Sequence, residues 1–256
     1  MKKILLTSGC SYSDENFVST IHPEMNCNWQ KWPKLLADKL GMDCVNVSHS
    51  GSGQEYIYSN LLDTLQKLDQ KNIGIVIAAW STAPRRDYTI RDRWTNEMND
   101  SKGDMRYWIN RSIKYYYTFQ SICEHLNLPY KQFQMVHLFK GHIWQQLLSA
   151  KIKNMPENLI DQIPILKARH QLTKDEINWK DNTENSYLKH IHESPYYNKI
   201  NDNFIGWPTD TKMNGYSIGD YILDNTFDRI SNLDSHPNAN GQIKIAEFLY
   251  EKIINS

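Results

Sequence analysis

The first half of the chain alternates between two spacings of apolar residues. Short, mostly apolar runs at 4–6, 44–47 and 73–80 are typical of buried strands, and the last is rich in β-branched side chains. Between them, apolar residues recur every three or four positions over 32–40 and 57–68, which predicts amphipathic helices. The predicted order of elements is therefore strand, helix, strand, helix, strand.

The same alternation continues beyond residue 100. Apolar side chains three and four apart predict a long helix over 105–127, followed by a strand within 130–138. A short run at 204–207 is a candidate fifth strand, and one apolar face over 243–253 predicts a closing helix. Strands and helices that alternate with short connections indicate an α/β fold, a parallel sheet with helices on both faces.

The pattern weakens between residues 139 and 231. Four prolines interrupt this stretch: Pro156, Pro164, Pro195 and Pro208. It is too long for a simple connection, so we expect an inserted cap of helices and loops that folds over one end of the sheet. A chain of 256 residues is long enough for one large domain, and we expect 1–256 to form a single domain that includes this cap.

Charge and cysteine content narrow the possible partners. Lys and Arg together number 29, as do Asp and Glu, so the net charge is zero and no general field attracts nucleic acid or an anionic membrane. The four cysteines lack the close pairs of a zinc site, and a chain of this size needs no disulfide framework. The apolar run after Lys3 is too short for a signal peptide, so we expect a cytoplasmic protein.

A candidate nucleophile follows the first predicted strand. The segment Thr7-Ser8-Gly9-Cys10-Ser11 places a glycine two residues before Ser11, where it permits a tight turn that lifts the side chain off the strand end. The carboxyl edge of such a sheet is where open α/β folds bind ligands. The alternative is an ordinary Gly-Ser turn.

A candidate base lies near the other end of the chain. In Asp234-Ser235-His236 the carboxylate can receive one imidazole N–H, which leaves the other ring nitrogen free to take a proton from a hydroxyl. The alternative is a histidine that caps the following helix. A small-residue loop at 48–53 ends the second predicted strand, and its glycines let backbone N–H groups approach a ligand.

Taken in order, these blocks resemble the SGNH (GDSL-like) hydrolases. The matching segments are Gly9-Cys10-Ser11, Asn46 through Gly51, the Trp80-Ser81-Thr82 turn and Asp234-Ser235-His236-Pro237. The Gly-Cys-Ser form is similar to members found in phage genomes and in bacteria. The resemblance implies a flavodoxin-like sheet and a reaction that needs neither a metal nor an organic cofactor.

The resemblance also assigns roles. Ser11 would be the nucleophile, His236 the general base and later acid, and Asp234 the residue that orients the imidazole. The backbone N–H groups of Ser11 and Gly51 would hold the oxyanion, with the hydroxyl of Thr82 in place of an asparagine amide.

The third block departs from the family pattern. Trp80 stands where the family has glycine, and Thr82, or Ser81 in a shifted register, stands where it has the asparagine. A hydroxyl donates a single hydrogen bond, so a weaker oxyanion hole is expected. Ser81, Arg85 and Arg86 are candidate substrate-binding residues, the two arginines through added positive charge. For these arginines an ordinary solvated loop is the alternative.

The expected activity is that of a serine esterase, or acylhydrolase. It would remove an acyl group such as acetyl from a small polar ester or an acylated glycan through an acyl-Ser11 intermediate. The same intermediate passed to a sugar hydroxyl would make the protein an O-acyltransferase. A third hypothesis is a non-catalytic carbohydrate-binding or virion structural module; for a phage-encoded protein the location would be the virion or the host cytoplasm. His190 and His192 lack the further ligands of a metal site.

Overall fold

The computed structural model describes residues 2–91, 93–98, 103–149, 171–207, 217–224 and 227–255. The strands in these ranges are β1 (Ile4–Ser8), β2 (Asp43–Asn46), β3 (Ile73–Trp80), β4 (Arg85–Ile90), β5 (Arg93–Met98), β6 (Tyr130–Gln134) and β7 (Phe204–Ile205). The α-helices are α1 (Trp32–Lys39), α2 (Gln54–Lys67), α3 (Met105–His125), α4 (Lys140–Leu147), α5 (Lys174–His192), α6 (Ile218–Ile222) and α7 (Ala239–Ile254). The predicted α/β alternation is confirmed, with β6 shorter than the run at 130–138.

Within the described residues, the central sheet has five parallel strands in the order β2-β1-β3-β6-β7. This is the doubly wound, flavodoxin-like order, in which the chain leaves β1 toward opposite edges of the sheet. The carboxyl ends of β1 and β3 therefore flank the switch point, where such sheets bind ligands. The turn that carries Ser11 follows β1 directly.

Both faces of the sheet are covered by helices, as predicted. Alternate residues of β3 enter two separate cores, because neighbouring side chains of a strand point to opposite faces. One core, which also contains residues of α1 and α7, receives Ile75, Ile77 and Ala79. The other, which also contains residues of α2 and α3, receives Val76, Ala78 and Trp80. This two-sided burial explains why β3 is a continuous apolar run.

Helices α1 and α7 join the two ends of the chain behind the turn that carries Ser11. Pro33 lies in the first turn of α1, where its missing N–H costs nothing. The Asn238 side chain caps α7 by accepting from the Gly241 N–H. Gln242 of α7 then accepts from the backbone N–H of Trp32 (2.7 Å) and donates to the carbonyl of Tyr12 (3.0 Å). The last helix therefore positions the residue that follows Ser11.

A β-hairpin, β4–β5, is the element that the sequence analysis missed. Its strands are antiparallel and pack on α2. The loop alternative for Arg85 and Arg86 is corrected, since both residues lie in β4. No Asn-Gly or Asp-Gly pair lies between residues 90 and 93, so the usual signal of a two-residue hairpin turn is missing.

Several elements lie in the segment predicted to be a cap. Helix α5 begins with a capping box between Thr173 and Glu176 and packs on α3 and α4, burying Ile191. Residues 150–170 and 208–216 of this segment lie outside the described residues, so the cap and the single-domain organisation stay predictions. In the described ranges no helix has the length and hydrophobicity needed to cross a membrane.

Candidate active site

Ser11 lies on a tight turn after β1. The Ser13 N–H donates to the Cys10 carbonyl at 2.9 Å and closes the turn. Gly9 is required for packing, because a Cβ there would lie 2.6 Å from Ser13 Oγ. The Cys10 side chain is buried in the core, whereas Ser11 Oγ meets the loop that carries His236.

The side chains of Ser11, His236 and Asp234 form a continuous chain of hydrogen bonds, which we call the Ser–His–Asp chain. His236 Nδ1 lies 2.5 Å from Asp234 Oδ1, and His236 Nε2 lies 2.8 Å from Ser11 Oγ. Because an ionised carboxylate only accepts, the proton of the neutral imidazole lies on Nδ1. Nε2 then accepts from the Ser11 hydroxyl, in the geometry of a base poised to take its proton.

Buried groups hold the His236 ring in this orientation. The ring lies 4.3 Å from that of Phe17 and 5.1 Å from that of Tyr12, measured between centroids. The carbonyl of Ser235, one residue earlier, accepts from Arg229 Nη1 (2.6 Å) and from the Tyr12 hydroxyl (2.9 Å). Burial raises the pKa of Tyr12 to about 12, so its hydroxyl stays protonated and able to donate.

Asp234 is an ionised carboxylate in a nearly closed site. Burial acts to raise its pKa, but the hydrogen bond and charge of His236, with donors from Ser19 and the His236 backbone, outweigh burial and lower the pKa to about 2. Ser19 Oγ donates to Asp234 Oδ2 at 2.5 Å, and the His236 N–H donates to Oδ1 at 3.0 Å. Both oxygens are therefore occupied, which fixes the carboxylate against the imidazole.

The loop at 48–53 is tied to the Ser11 turn. Buried Asp14 accepts from the Ser50 N–H (2.7 Å) and hydroxyl (2.6 Å), and the His49 N–H donates to the Gly9 carbonyl (3.1 Å). Gly51 has φ +83°, a conformation that favours glycine. Among the described residues, neither the N–H of Ser11 nor that of Gly51 donates a hydrogen bond.

The Trp80-Ser81-Thr82 turn is occupied by structural contacts. Trp80 is fully buried and donates from Nε1 to Gln132, which explains a large residue at this position. The Thr82 hydroxyl donates to the Leu138 carbonyl at 3.0 Å. Since a hydroxyl has one proton, Thr82 would have to give up this bond in order to donate to an oxyanion.

The other three candidate side chains also have partners. Buried Ser81 Oγ accepts from Arg85 Nη1 at 2.8 Å, and the same nitrogen donates to the Ser52 carbonyl at 3.0 Å. Arg86 pairs with Glu97 across the hairpin at 3.4 Å. Arg85 thus reaches the Gly51 loop, whereas Arg86 makes its ion pair within the hairpin.

Sequence reasoning missed several residues that support the site. Ser19 and Asp234 are 215 positions apart, and Ser19 has no motif around it that could have indicated the contact. Asp14 stands three residues after the proposed nucleophile, but only the structure shows that it holds the next loop. Asn96 of β5 lies against Gly51 and gave no signal in the sequence. The described residues contain no group of three His, Cys, Asp or Glu side chains that could hold a metal ion.

A solved structure resembles this chain over nearly its whole length. No protein-family model matches the chain, and neither does any curated protein. The chain is similar to a solved structure described as "a putative lipolytic protein of G-D-S-L family" from Desulfitobacterium hafniense, with 11% identity and a TM-score of 0.41 over 98% of this chain and 99% of that chain.

Proposed function

We propose that this protein is a serine esterase that hydrolyses carboxylic esters through an acyl intermediate on Ser11. The observation that carries the proposal is the Ser–His–Asp chain, in which residues 225 positions apart meet at 2.8 Å. A serine hydroxyl that donates to an imidazole, itself oriented by a buried carboxylate, is the arrangement that activates serine as a nucleophile.

The proposed reaction has two steps, acylation of Ser11 and hydrolysis of the acyl intermediate. Ser11 Oγ attacks the carbonyl carbon while His236 Nε2 takes the hydroxyl proton, and the carbonyl oxygen becomes an oxyanion. The C–O bond of the ester breaks, and His236 passes the proton to the departing alcohol. Water then attacks the acyl-Ser11 in the same way, giving the carboxylic acid and the free serine. Asp234 stabilises the imidazolium that forms in each step.

The N–H groups of Ser11 and Gly51, which donate to no described residue, are the proposed oxyanion donors. Preorganised backbone donors of this kind contribute about 3 kcal/mol each to transition-state stabilisation. For the substrate we propose a short acyl group, such as acetyl, on a polar molecule such as a glycan. The support is the polar character of the loop beside the nucleophile, where Ser48, His49 and Ser50 precede Gly51.

Labelling and ester hydrolysis test the proposal together. A fluorophosphonate probe should label Ser11, located by peptide mapping, and the protein should release p-nitrophenol from p-nitrophenyl acetate. Ser11→Ala and His236→Ala should each lower kcat by about 10⁴- to 10⁶-fold. Ser59→Ala on α2 and His125→Ala at the end of α3 are matched controls that should retain the rate.

The outcomes separate the hypotheses. Full activity in Ser11→Ala would exclude this mechanism. A wild-type protein that neither turns over acyl esters nor reacts with the probe would favour a non-catalytic binding module. Hydrolysis that gives way to ester exchange when a sugar is added as acceptor would identify an acyltransferase.

A further inference from the structure

One face of the β4–β5 hairpin is pressed against the loop that carries Gly51. Arg85, Asp87 and Asn96 share this face, because strand residues alternate and Asn96 is the cross-strand partner of Asp87. Arg85 donates to the Ser52 carbonyl (3.0 Å), and Asp87 Oδ1 accepts from the Gly53 N–H (2.8 Å). The hairpin therefore fixes the residues that follow Gly51.

The third residue of this face, Asn96, packs directly on Gly51. A Cβ on Gly51 would lie 2.7 Å from Asn96 Nδ2 and 3.3 Å from both Cγ and Oδ1, so the amide group occupies the space of a side chain. The side chain of Asn96 makes no hydrogen bond within the described part of the chain. The Asn96 amide thus lies against Gly51, whose backbone N–H likewise donates to no described residue.

The loop in turn is tied to the nucleophile turn through Asp14 and Ser50. The hairpin, the Gly51 loop and the Ser11 turn are consequently linked by hydrogen bonds. The N–H donors of this linked unit that bond to no described residue include the backbone groups of Ser11 and Gly51 and the side chain of Asn96. The Thr82 hydroxyl, by contrast, already donates to Leu138.

We propose that Asn96 Nδ2 is the side-chain donor to the oxyanion, supplied by the hairpin instead of by the turn after β3. This inference rests on the proposed esterase function. A neutral amide suits the task, since it donates without titrating and its bond strengthens as negative charge develops on the carbonyl oxygen. Asn96 then contributes to kcat more than to ground-state binding.

Two substitutions of Asn96 and one control test the assignment. Asn96→Asp keeps the shape but removes the donor and adds a charge that repels the oxyanion, and Asn96→Ala removes the group. Each should lower kcat for p-nitrophenyl acetate by about 10²- to 10³-fold, with KM within about twofold of wild type. Thr95→Ala, on the opposite face of the same strand, should keep the wild-type kcat. Circular dichroism and thermal melting verify that all three variants fold.

A boronic acid supplies a second measurement. It forms a tetrahedral adduct on a serine nucleophile, so its inhibition constant should rise in parallel with the loss of kcat/KM across the variants. If Asn96→Asp matches Thr95→Ala in kcat, or raises KM alone, the oxyanion role is overturned while ester hydrolysis stands. If wild type shows neither hydrolysis nor labelling of Ser11, the esterase proposal fails and the role of Asn96 fails with it.

Discussion

Two carboxylates, those of Asp234 and Asp87, each accept from backbone N–H groups and yet have opposite pKa shifts. Asp234 belongs to the Ser–His–Asp chain, and its pKa falls to about 2 because bonds from His236 outweigh burial. Asp87 belongs to the hairpin, and there burial outweighs the N–H groups of Gly53 and Tyr56 and raises the pKa. The hydrogen bond and charge of a neighbouring imidazole thus favour the ionised carboxylate of Asp234, whereas Asp87 fastens the hairpin to the start of α2.

Removal of the charge of Asp234 should have the largest effect on activity. In Asp234→Asn the amide no longer requires a proton on His236 Nδ1, so Nε2 can carry the proton and lose its ability to accept from Ser11. We expect kcat for an acetate ester to fall by about 10⁴-fold. Steady-state kinetics on wild type and Asp234→Asn measure the loss.

Asp38→Asn is the control for this substitution, because Asp38 lies on an exposed ion pair with Lys34 on α1. It should keep the wild-type rate. A rate for Asp234→Asn within tenfold of wild type would mean that the carboxylate only shapes the loop.

The contact between the hairpin and the Gly51 loop is tested by Gly51→Ala. The new methyl group would meet Asn96 Nδ2 at 2.7 Å in a backbone with φ +83°, so the loop must shift and its N–H must move. We expect kcat to fall by about 10²- to 10³-fold, the range for loss of one oxyanion donor. Ester kinetics and thermal unfolding measure the two consequences separately.

Gly41→Ala separates backbone strain from loss of the donor. Gly41 also has a positive φ, +68°, but nothing lies within 4 Å of an added Cβ, and it ends α1 away from the site. It should cost about 1 to 2 kcal/mol of stability and leave kcat unchanged. An equal loss of activity in both variants would show that Gly51 acts only through stability.

The Ser–His–Asp chain and the β4–β5 hairpin differ in how well the sequence predicts them. The parallel sheet and the three members of the Ser–His–Asp chain follow from local signals: apolar runs, a glycine before Ser11, and an Asp two residues before a His. Each signal lies within a few consecutive residues, and the sheet topology brings the strand ends together. Their functional roles stay predictions until the kinetics are measured.

The β4–β5 hairpin and its contacts with the Gly51 loop could not be predicted from such local signals. The hairpin contacts a loop more than thirty positions earlier in the chain, through Arg85, Asp87 and Asn96. The sequence of 85–98 also has no turn motif at its centre that would indicate two paired strands. Asn96 is exposed and belongs to no motif, so only the packed structure reveals that its amide fills the space left by Gly51. Contacts of this kind are long-range and leave no local signal, so the sequence alone offered only the Thr82 hydroxyl as a side-chain donor, and that role stays a prediction.

The pH dependence of unfolding should show the smallest of these effects, a difference in stability between the Asp234 and Asp87 variants. The pKa of Asp234 lies below its ordinary value of 3.8, so its ionised form stabilises the folded state, by about 2 kcal/mol at neutral pH. That contribution is present above about pH 4 and is lost as the pH falls through about 2.

Asp87 has the opposite sign: its raised pKa favours the folded state when it is protonated and disfavours it as the pH rises. Urea unfolding from pH 7 to pH 2 should therefore show a shallower acid loss in Asp234→Asn and a steeper one in Asp87→Asn. Identical slopes in the two variants would mean that the hydrogen bond and charge of His236 do not lower the pKa of Asp234, and that Asp234 and Asp87 do not differ in how the fold holds their charge.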